Sequence, residues 1–388
     1  MAQTNTIRVG HIPALTWNSL KMNEGRVSEV LSLNTEMSIS FRSLPQGVTH
    51  KKLTMDQASG WLSSHAPGQE AERFVAGKVP IYHPQTFGTG LGGEFEAFMN
   101  EACSRCDLLE VAGRTKVETP LTWHIDFNDG NRAASAQIIH LGEGSSLTLI
   151  LDYASEREAA GLAALSTRIV LERGAKLTFV TAQTLGEGFI HLSDIGASQA
   201  DASRLEIVEL ELGAGESYAG IQAEQIGRSA ELAGHMGYMA VGSQKVDINY
   251  NVIQRGKRTR SNFDFDGVLA DRGWKSFRGT IDFRNGACAA YGNEQESVLL
   301  LSPDVVNKTL PIILCEEEDV EGAHGATIGR LSDEMLFYMT SRGIDEKTAE
   351  RIIVRARLDA VAARVPDEAL RKKLTAYIEE TFSDDKAH

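Results

Sequence analysis

The most restrictive feature of the sequence is a long β-rich stretch, from about residue 108 to 301, made of short segments separated by small turns. Segments such as TWHIDF, SLTLILDY and VDINYNVI alternate apolar and polar residues, as strands do. A turn phrase, Leu-x-x-Gly, recurs at Leu141–Gly144, Leu171–Gly174 and Leu212–Gly215. Such a stretch without a convincing helix predicts either a β-solenoid or a large β-sandwich, and the repeated turn phrase favours the solenoid.

Mixed and helical patterns flank this stretch on both sides. Towards the N-terminus, alternation predicts strands between Met37 and Leu53, and helical spacing predicts helices near Met55–Leu62 and from Glu94 to about Cys106. After Arg330 the pattern is helical again. We therefore predict a mainly β protein with three parts. These are an N-terminal mixed α/β segment (1–106), a β-helix core (107–330) and a C-terminal helical subdomain (331–388).

The C-terminal helices have clear boundary signals. Ser332 is expected to cap the first helix, Gly343 to end it, and Asp345 to cap the second. Apolar residues at helical spacing predict the buried faces of the second and third helices. These residues are Ala349, Ile352, Ile353, Ala356 and Ala360 in the second helix, and Leu370, Leu374, Tyr377, Ile378 and Phe382 in the third.

The overall charge argues against several classes of partner. Lys and Arg number 39 against 53 Asp and Glu, and the net charge of −14 disfavours binding to nucleic acid or to an anionic bilayer. No apolar run reaches the roughly 18 residues of a membrane span. Four cysteines without an export signal indicate reduced thiols. We therefore expect a cytoplasmic protein that binds neither nucleic acid nor a membrane.

Familiar catalytic and cofactor motifs are missing or incomplete. Gly88–Gly93 matches G-x-G-x-x-G, but Pro84 makes the preceding segment a poor buried strand, so a flexible loop entering a helix is the preferred interpretation. No segment fits a P-loop. Cys103 and Cys106 form a single C-x-x-C pair, and two thiols on one helix face are a simpler interpretation than a redox or metal site. The sequence thus points away from an autonomous enzyme.

One histidine stands apart from the other nine. His324 lies among small residues in the phrase EGAHGATIG, after the acidic run Glu316–Asp319 and before the terminal helices. Small neighbours leave the imidazole open, and neutral imidazole is a good ligand for iron or zinc. The alternative is a turn at the end of the solenoid, where the ring would only bond backbone groups.

From Val298 onward the sequence resembles the C-terminal region of the SufB/SufD family of iron–sulfur cluster assembly proteins. Looser similarity covers about residues 40 to 385. The matching positions are Leu299–Ser302, Pro311, Asp319–Val320, His324–Thr327, Gly329, Phe337–Tyr338 and Ser341–Ile344. The chain resembles the SufD type, because Gly325 and Val305 stand where SufB-type chains carry a glutamate and the cluster-building cysteine. Some SufD-type chains carry a cysteine where this one has Gly322.

The resemblance implies a right-handed parallel β-helix that acts as a non-catalytic scaffold. In this family, SufD pairs with SufB through the β-helix ends, and the terminal helices receive SufC, an ABC ATPase that supplies the nucleotide chemistry. The resemblance implies that His324 faces iron at the SufB interface. The iron–sulfur cluster would be transient and shared with the partner, with no cofactor held permanently by this chain alone. It also implies an ATPase-docking region, with Met335, Leu336, Phe337, Met339 and Arg342 as its candidates.

Three other interpretations remain open from the sequence. A homodimeric SufB/SufD-type scaffold would pair with its own copy. A carbohydrate-active β-helix enzyme would need paired carboxylates on one face, for example Asp264 and Asp266. A dinucleotide-binding protein would use Gly88–Gly93.

Overall fold

The structure is a computed structural model of the 388-residue chain, and it describes residues 6–27, 32–41, 43–65 and 88–383. Pro84 and the segment around it lie outside the described residues. The strands of the N-terminal segment are β1 (Ile7–Val9), β2 (Gly25–Val27), β3 (Thr35–Glu36) and β4 (Val48–Thr54). The helices are α1 (Met55–His65), α2 (Gly93–Ala102), α3 (Asp333–Ser341), α4 (Glu346–Ala362) and α5 (Glu368–Thr381), with a short 3₁₀ turn at Asn18–Leu20.

The core is a parallel β-solenoid of about eight turns, as the alternation and the repeated turns predicted. Its strands are β5 (Arg105–Val111), β6 (Leu121–Phe127), β7 (Arg132–Leu141), β8 (Ser146–Ser155), β9 (Ala160–Leu171), β10 (Lys176–Thr184), β11 (Gly188–Gln199), β12 (Arg204–Glu211), β13 (Glu216–Gln225), β14 (Glu231–Ala240), β15 (Lys245–Gln254), β16 (Arg260–Leu269), β17 (Trp274–Phe283), β18 (Ala290–Leu300), β19 (Val306–Cys315) and β20 (Val320–Gly329). Odd-numbered strands build one sheet and even-numbered strands from β6 build the other. Every pairing among strands β5 to β20 is parallel, so the sandwich alternative is wrong.

The solenoid forms because alternate residues of each strand point into a shared lumen. Leu149 pairs in register with Phe179, and Phe179 pairs with Ile207 in the next coil. All three side chains are buried in one continuous hydrophobic cluster. Because the strands stack in register, the inward-facing apolar residues of successive coils lie on top of one another and form an apolar column along the solenoid axis.

The predicted glycine turns are present, with one difference. Gly144 and Gly174 have positive φ, at +64° and +66°. In the third turn Ala214, with φ of +64°, takes the left-handed position instead of Gly215. Gly215 is needed for another reason, since a Cβ there would lie 2.3 Å from the carbonyl oxygen of Glu187.

The N-terminal end of the solenoid is covered by its own chain. β4 pairs antiparallel with β5 and closes that edge of the odd-numbered sheet. Ile39, Phe41 and Leu44 pack into the hydrophobic cluster of the first coils. The prediction of strands from Met37 was wrong for the residues just after it, because the chain leaves the sheet after Glu36 to cross this end, where Asp107 accepts a hydrogen bond from the Ile39 amide at 2.8 Å.

Helix α2 ends earlier than predicted. It stops at Ala102, Cys103 has extended backbone angles, and Cys106 lies in β5 opposite Leu53. The two thiols therefore do not share a helix face. Long-range pairing with β4 overrides the local helical spacing at this point.

The C-terminal helices lie on the outer face of the even-numbered sheet. Ser332 and Asp345 accept backbone hydrogen bonds as predicted caps, and Gly343 has a φ of +86°. The predicted buried face of α4 was confirmed only in part. Ala349 is buried and Ile353 is partly buried, but Ile352, Ala356 and Ala360 are exposed. Val354, Leu358 and Val361 pack against the sheet instead. The predicted buried face of α5 was confirmed at Leu370, Leu374 and Ile378, which are buried. Tyr377 and Phe382 are partly buried against the same cluster.

Candidate functional site

The C-terminal end of the solenoid is open. β19 and β20 are the last strands of the two sheets, and neither has a further strand beside it within the described residues. Exposed apolar side chains, Val306 on β19 and Ile328 on β20, occur in this coil. Unpaired edges and exposed apolar residues are features that proteins normally cover, as the N-terminal end of this solenoid is covered.

His324 stands at the mouth of the lumen. It lies on β20, is exposed, and pairs in register with Glu294 on β18, which in turn pairs with Phe263 on β16. Phe263 belongs to the hydrophobic cluster that fills the lumen. Because residues paired in register share a face, the imidazole belongs to the inward-facing row of the last coil.

A buried polar cluster lies directly beneath this mouth. Lys275 and Glu296 form an ion pair inside the lumen, both side chains being 0% exposed. Glu296 also accepts hydrogen bonds from Tyr238 at 2.8 Å and from Thr309 at 2.7 Å. Burial lowers the pKa of Lys275 to about 8, although Glu296 opposes that shift. Burial, followed by the nearby Glu296 charge, raises the pKa of Glu294 to about 8.

Glycines flank His324 on the same strand. A Cβ at Gly322 would lie 2.9 Å from the Phe283 ring, and a Cβ at Gly325 would lie 2.2 Å from the amide nitrogen of Gln295. At Gly322 the small residue is therefore favoured by packing against the Phe283 ring, whereas at Gly325 the flexible Gln295 side chain would have to move.

The four cysteines differ in their exposure to solvent. Cys103 and Cys106 are buried, and burial raises the pKa of each thiol to about 12. Cys315 is exposed at the end of β19, and the Cys288 thiol donates to Asp319 at 2.7 Å. Across the described ranges, no three His, Cys, Asp or Glu side chains group closely enough to hold a metal ion.

Helix α3 presents apolar side chains to solvent. None of its residues is buried, and Met335 and Phe337 are 49% and 74% exposed. Leu336 and Met339 are half-buried. Arg342 follows the helix, with its guanidinium 5.2 Å from the Tyr338 ring centroid. The five residues predicted to dock an ATPase thus lie on one short, accessible element.

The N-terminal segment adds further exposed apolar residues beside the open end. Leu15 and Trp17 are both about four-fifths exposed, at 79% and 83%. Lys308 on β19 donates to the Leu20 carbonyl oxygen at 3.3 Å. The N-terminal segment therefore reaches β19 at Leu20.

The glycine-rich segment does not form an open phosphate loop. A Cβ at Gly90 would lie 1.9 Å from the Ile221 backbone nitrogen, so this segment packs directly on the odd-numbered sheet. The Gly90 carbonyl accepts from Asn249 at 2.8 Å, and the Leu91 amide donates to Asp194 at 2.7 Å. The motif is explained by close packing rather than by a nucleotide, and the expectation of a flexible loop was wrong.

The carboxylates proposed for a carbohydrate-active enzyme already face other groups. Asp264 lies 3.3 Å from the His235 ring nitrogen, and Asp266 lies 3.6 Å from Arg357 of α4. Both carboxylates are on the outer face of the even-numbered sheet, beside α4. Nothing in this arrangement favours sugar hydrolysis.

The family model described as "SUF system FeS cluster assembly, SufBD core domain" matches residues 125–357, more than half of the chain. The chain belongs to the SufBD family. Among its relatives, SufD of Bacillus subtilis is 24% identical over 274 residues, covering 70% of this chain and 63% of that protein. SufD of Escherichia coli is 32% identical over 111 residues, covering 29% of this chain and 26% of the relative. SufD of Plasmodium berghei is 27% identical over 243 residues, covering 61% of this chain and 18% of the relative.

The chain therefore matches less than two thirds of the length of each of these SufBD relatives. The match to the SufBD core nevertheless spans β7 to β20, which includes the open coil and His324. In the part of the chain that the structure describes, no helix is both long and apolar enough to cross a lipid bilayer.

Sequence reasoning identified His324 but missed the lumen cluster beneath it. The signal was present in the phrase NEQES, where Glu294 and Glu296 alternate within the predicted β-rich stretch. Such alternation usually marks a solvated face, and only the in-register stacking of β18 under β20 shows that these carboxyl groups point inward.

Proposed function

We propose that this chain is a SufD-like scaffold subunit of an iron–sulfur cluster assembly complex. The observation that carries the proposal is the open last coil, which bears His324 on its inward-facing row. A SufB-like paralogue would cover this end by pairing with the free edges of β19 and β20. The exposed Trp17 and Ile328 support an apolar contact there.

In this proposal the chain contributes a ligand rather than a catalytic group. Imidazole nitrogen binds iron, and the thiolate expected from the SufB-like partner is the usual ligand of iron–sulfur clusters. The nascent cluster is the cargo of the complex and is shared between the subunits. ATP hydrolysis belongs to a SufC-like ABC ATPase that docks on α3, and we expect the complex to act in the cytoplasm.

Co-expression with the two partners tests this function. The chain should co-purify with the SufB-like paralogue and the ATPase, and His324→Ala should lower the yield of reconstituted cluster without changing complex assembly. His11→Ala is a matched control, because its ring is also exposed, at 44%, but lies away from the lumen. A chain that stays alone in the presence of both partners would refute the proposed function, and an unchanged cluster yield would remove the role of His324.

The docking of the ATPase is tested separately on α3. Phe337→Asp should abolish ATPase co-purification but leave the SufB-like partner bound, because it places a charge in the apolar contact. Ile352→Asp on α4 is the control, since it changes another exposed apolar helix residue. Loss of both partners from Phe337→Asp, or equal losses from both variants, would contradict α3 as the specific docking element.

The homodimeric scaffold remains a distinct outcome. The free edges of β19 and β20 can also pair with a second copy of the chain. Light scattering on the isolated chain and on the co-expressed complex distinguishes the two cases. A dimer that persists unchanged with the paralogue present would favour the homodimeric scaffold.

A further inference from the structure

Glu294 is an inward-facing carboxyl group one coil below His324. The two residues are register partners on β18 and β20, so their backbones are about one strand spacing, ~4.8 Å, apart. The carboxyl group reaches across the lumen to β17, where a Cβ added at Gly279 would lie 2.0 Å from its Oε2. A side chain at 279 would displace the carboxyl group from this position.

Glu294 differs from the other acidic groups near the open end. Within the described residues it has no hydrogen bond or ion pair, although it is only 2% exposed. Glu296, by contrast, is occupied by Lys275 and two hydroxyl groups. Glu317 accepts the Gly286 amide. A buried carboxyl group without a partner is costly, and a ligand that bonds it would offset this cost.

We propose that Glu294 is a second protein ligand for the iron that His324 receives, contacting Fe(II) through a carboxylate oxygen from inside the lumen. This inference rests on the proposed function of the chain as a cluster-assembly scaffold. An imidazole together with a carboxylate is a donor set that suits Fe(II) and leaves coordination positions open. Those positions would take the sulfur ligands that the partner supplies.

Anaerobic titration of the full chain with Fe(II), followed by calorimetry, tests the inference. Glu294→Gln should weaken Fe(II) binding at least about 10-fold, the smallest loss typical of perturbing even an outer-shell partner of a metal. Glu294→Asp keeps a carboxylate on a shorter stem and should fall between wild type and Glu294→Gln. Glu321→Gln is the control, since it removes a carboxylate from the exposed, outward-facing row of β20 and should bind as wild type.

The outcomes separate this inference from the proposed function. Wild-type affinity in Glu294→Gln, together with weaker binding by His324→Ala, would overturn the inference and leave the scaffold function standing. Weaker binding by Glu294→Gln with no effect of His324→Ala would show that the two residues do not share an ion, and would also overturn it. Absence of Fe(II) binding by the wild-type chain has the same consequence. Thermal unfolding of each variant checks that the solenoid is intact.

Discussion

Removing one member of the buried Lys275–Glu296 pair should destabilise the end of the solenoid strongly. Both side chains are 0% exposed, so neither charge has access to water when its partner is lost. In Lys275→Met, Glu296 retains only the hydroxyl groups of Tyr238 and Thr309 as donors. We expect a loss of about 3–5 kcal/mol in the free energy of unfolding, the range found when a buried pair is broken on one side.

The intact ion pair contributes much less to the free energy of unfolding than the loss in the single variant suggests. Burial lowers the pKa of Lys275 from 10.5 to about 8, even with the opposing attraction of Glu296. A lowering of this size means that the buried ammonium is about 3 kcal/mol less favourable than the same group in water. The double variant Lys275→Met/Glu296→Gln removes both charges, and should therefore lie within about 2 kcal/mol of wild type.

Urea unfolding at constant pH measures the wild type, both single variants and the double variant. Because solenoids unfold in parts, amide hydrogen exchange in β17–β20 should report the same order locally. Lys372→Met is the matched control, since its ion pair with Glu368 at 2.7 Å is exposed and should contribute at most about 1 kcal/mol. Additive losses in the double variant would refute the reasoning, because they would show that neither charge depends on the other.

Three further predictions follow from the packing and the buried ionisable groups. Gly90→Ala should destabilise the chain by about 1–3 kcal/mol in thermal unfolding, because a Cβ there meets the β13 backbone at 1.9 Å; wild-type stability would contradict this close packing. With iodoacetamide at pH 8, peptide mass mapping should find exposed Cys315 modified long before Cys103 and Cys106, whose pKa burial raises to about 12; equal rates would contradict their burial. Burial raises the folded-state pKa of Glu294 from 4.5 to about 8, so between these pH values the folded chain binds more protons than the unfolded chain, and the free energy of unfolding should fall as pH rises. Urea unfolding at several pH values should show a smaller pH dependence for Glu294→Gln, and an unchanged pH dependence would contradict this prediction.

The solenoid itself could be predicted because its signal is local and repeated. Alternation recurs in the strands, and left-handed residues recur in most turns between strands up to Ala289. The sequence-based predictions were wrong where pairing with a distant segment overrides the local structural preference. Cys106 follows a helical pattern but joins β5, because β4 offers a pairing edge from far along the chain. In α4 two apolar sets share the helix, and the sequence does not show which one faces the sheet, so Ile352 was assigned to the wrong side.

The candidate site was only half predictable for a related reason. The small residues around His324 indicate an accessible ring from sequence alone, and the structure places that ring on the last strand. Glu294 lies 30 residues earlier in the chain, and its position beneath His324 depends on the register between β18 and β20. Register across a coil is set by turn lengths and by packing of the whole lumen, neither of which a motif encodes.

The lumen below the site determines the direction from which ligands can arrive. Tyr250, Phe263, Phe265 and Phe277 form an aromatic layer there, with ring centroids 3.9 Å apart for Tyr250 and Phe263 and 4.5 Å apart for Phe265 and Phe277. All four side chains are buried, so the layer fills the lumen beneath the polar cluster. If His324 binds iron as proposed, iron and sulfur would therefore enter through the open end. In the proposed function, the partner that covers this end would supply the remaining ligands, so the chemistry of the site would depend on that partner.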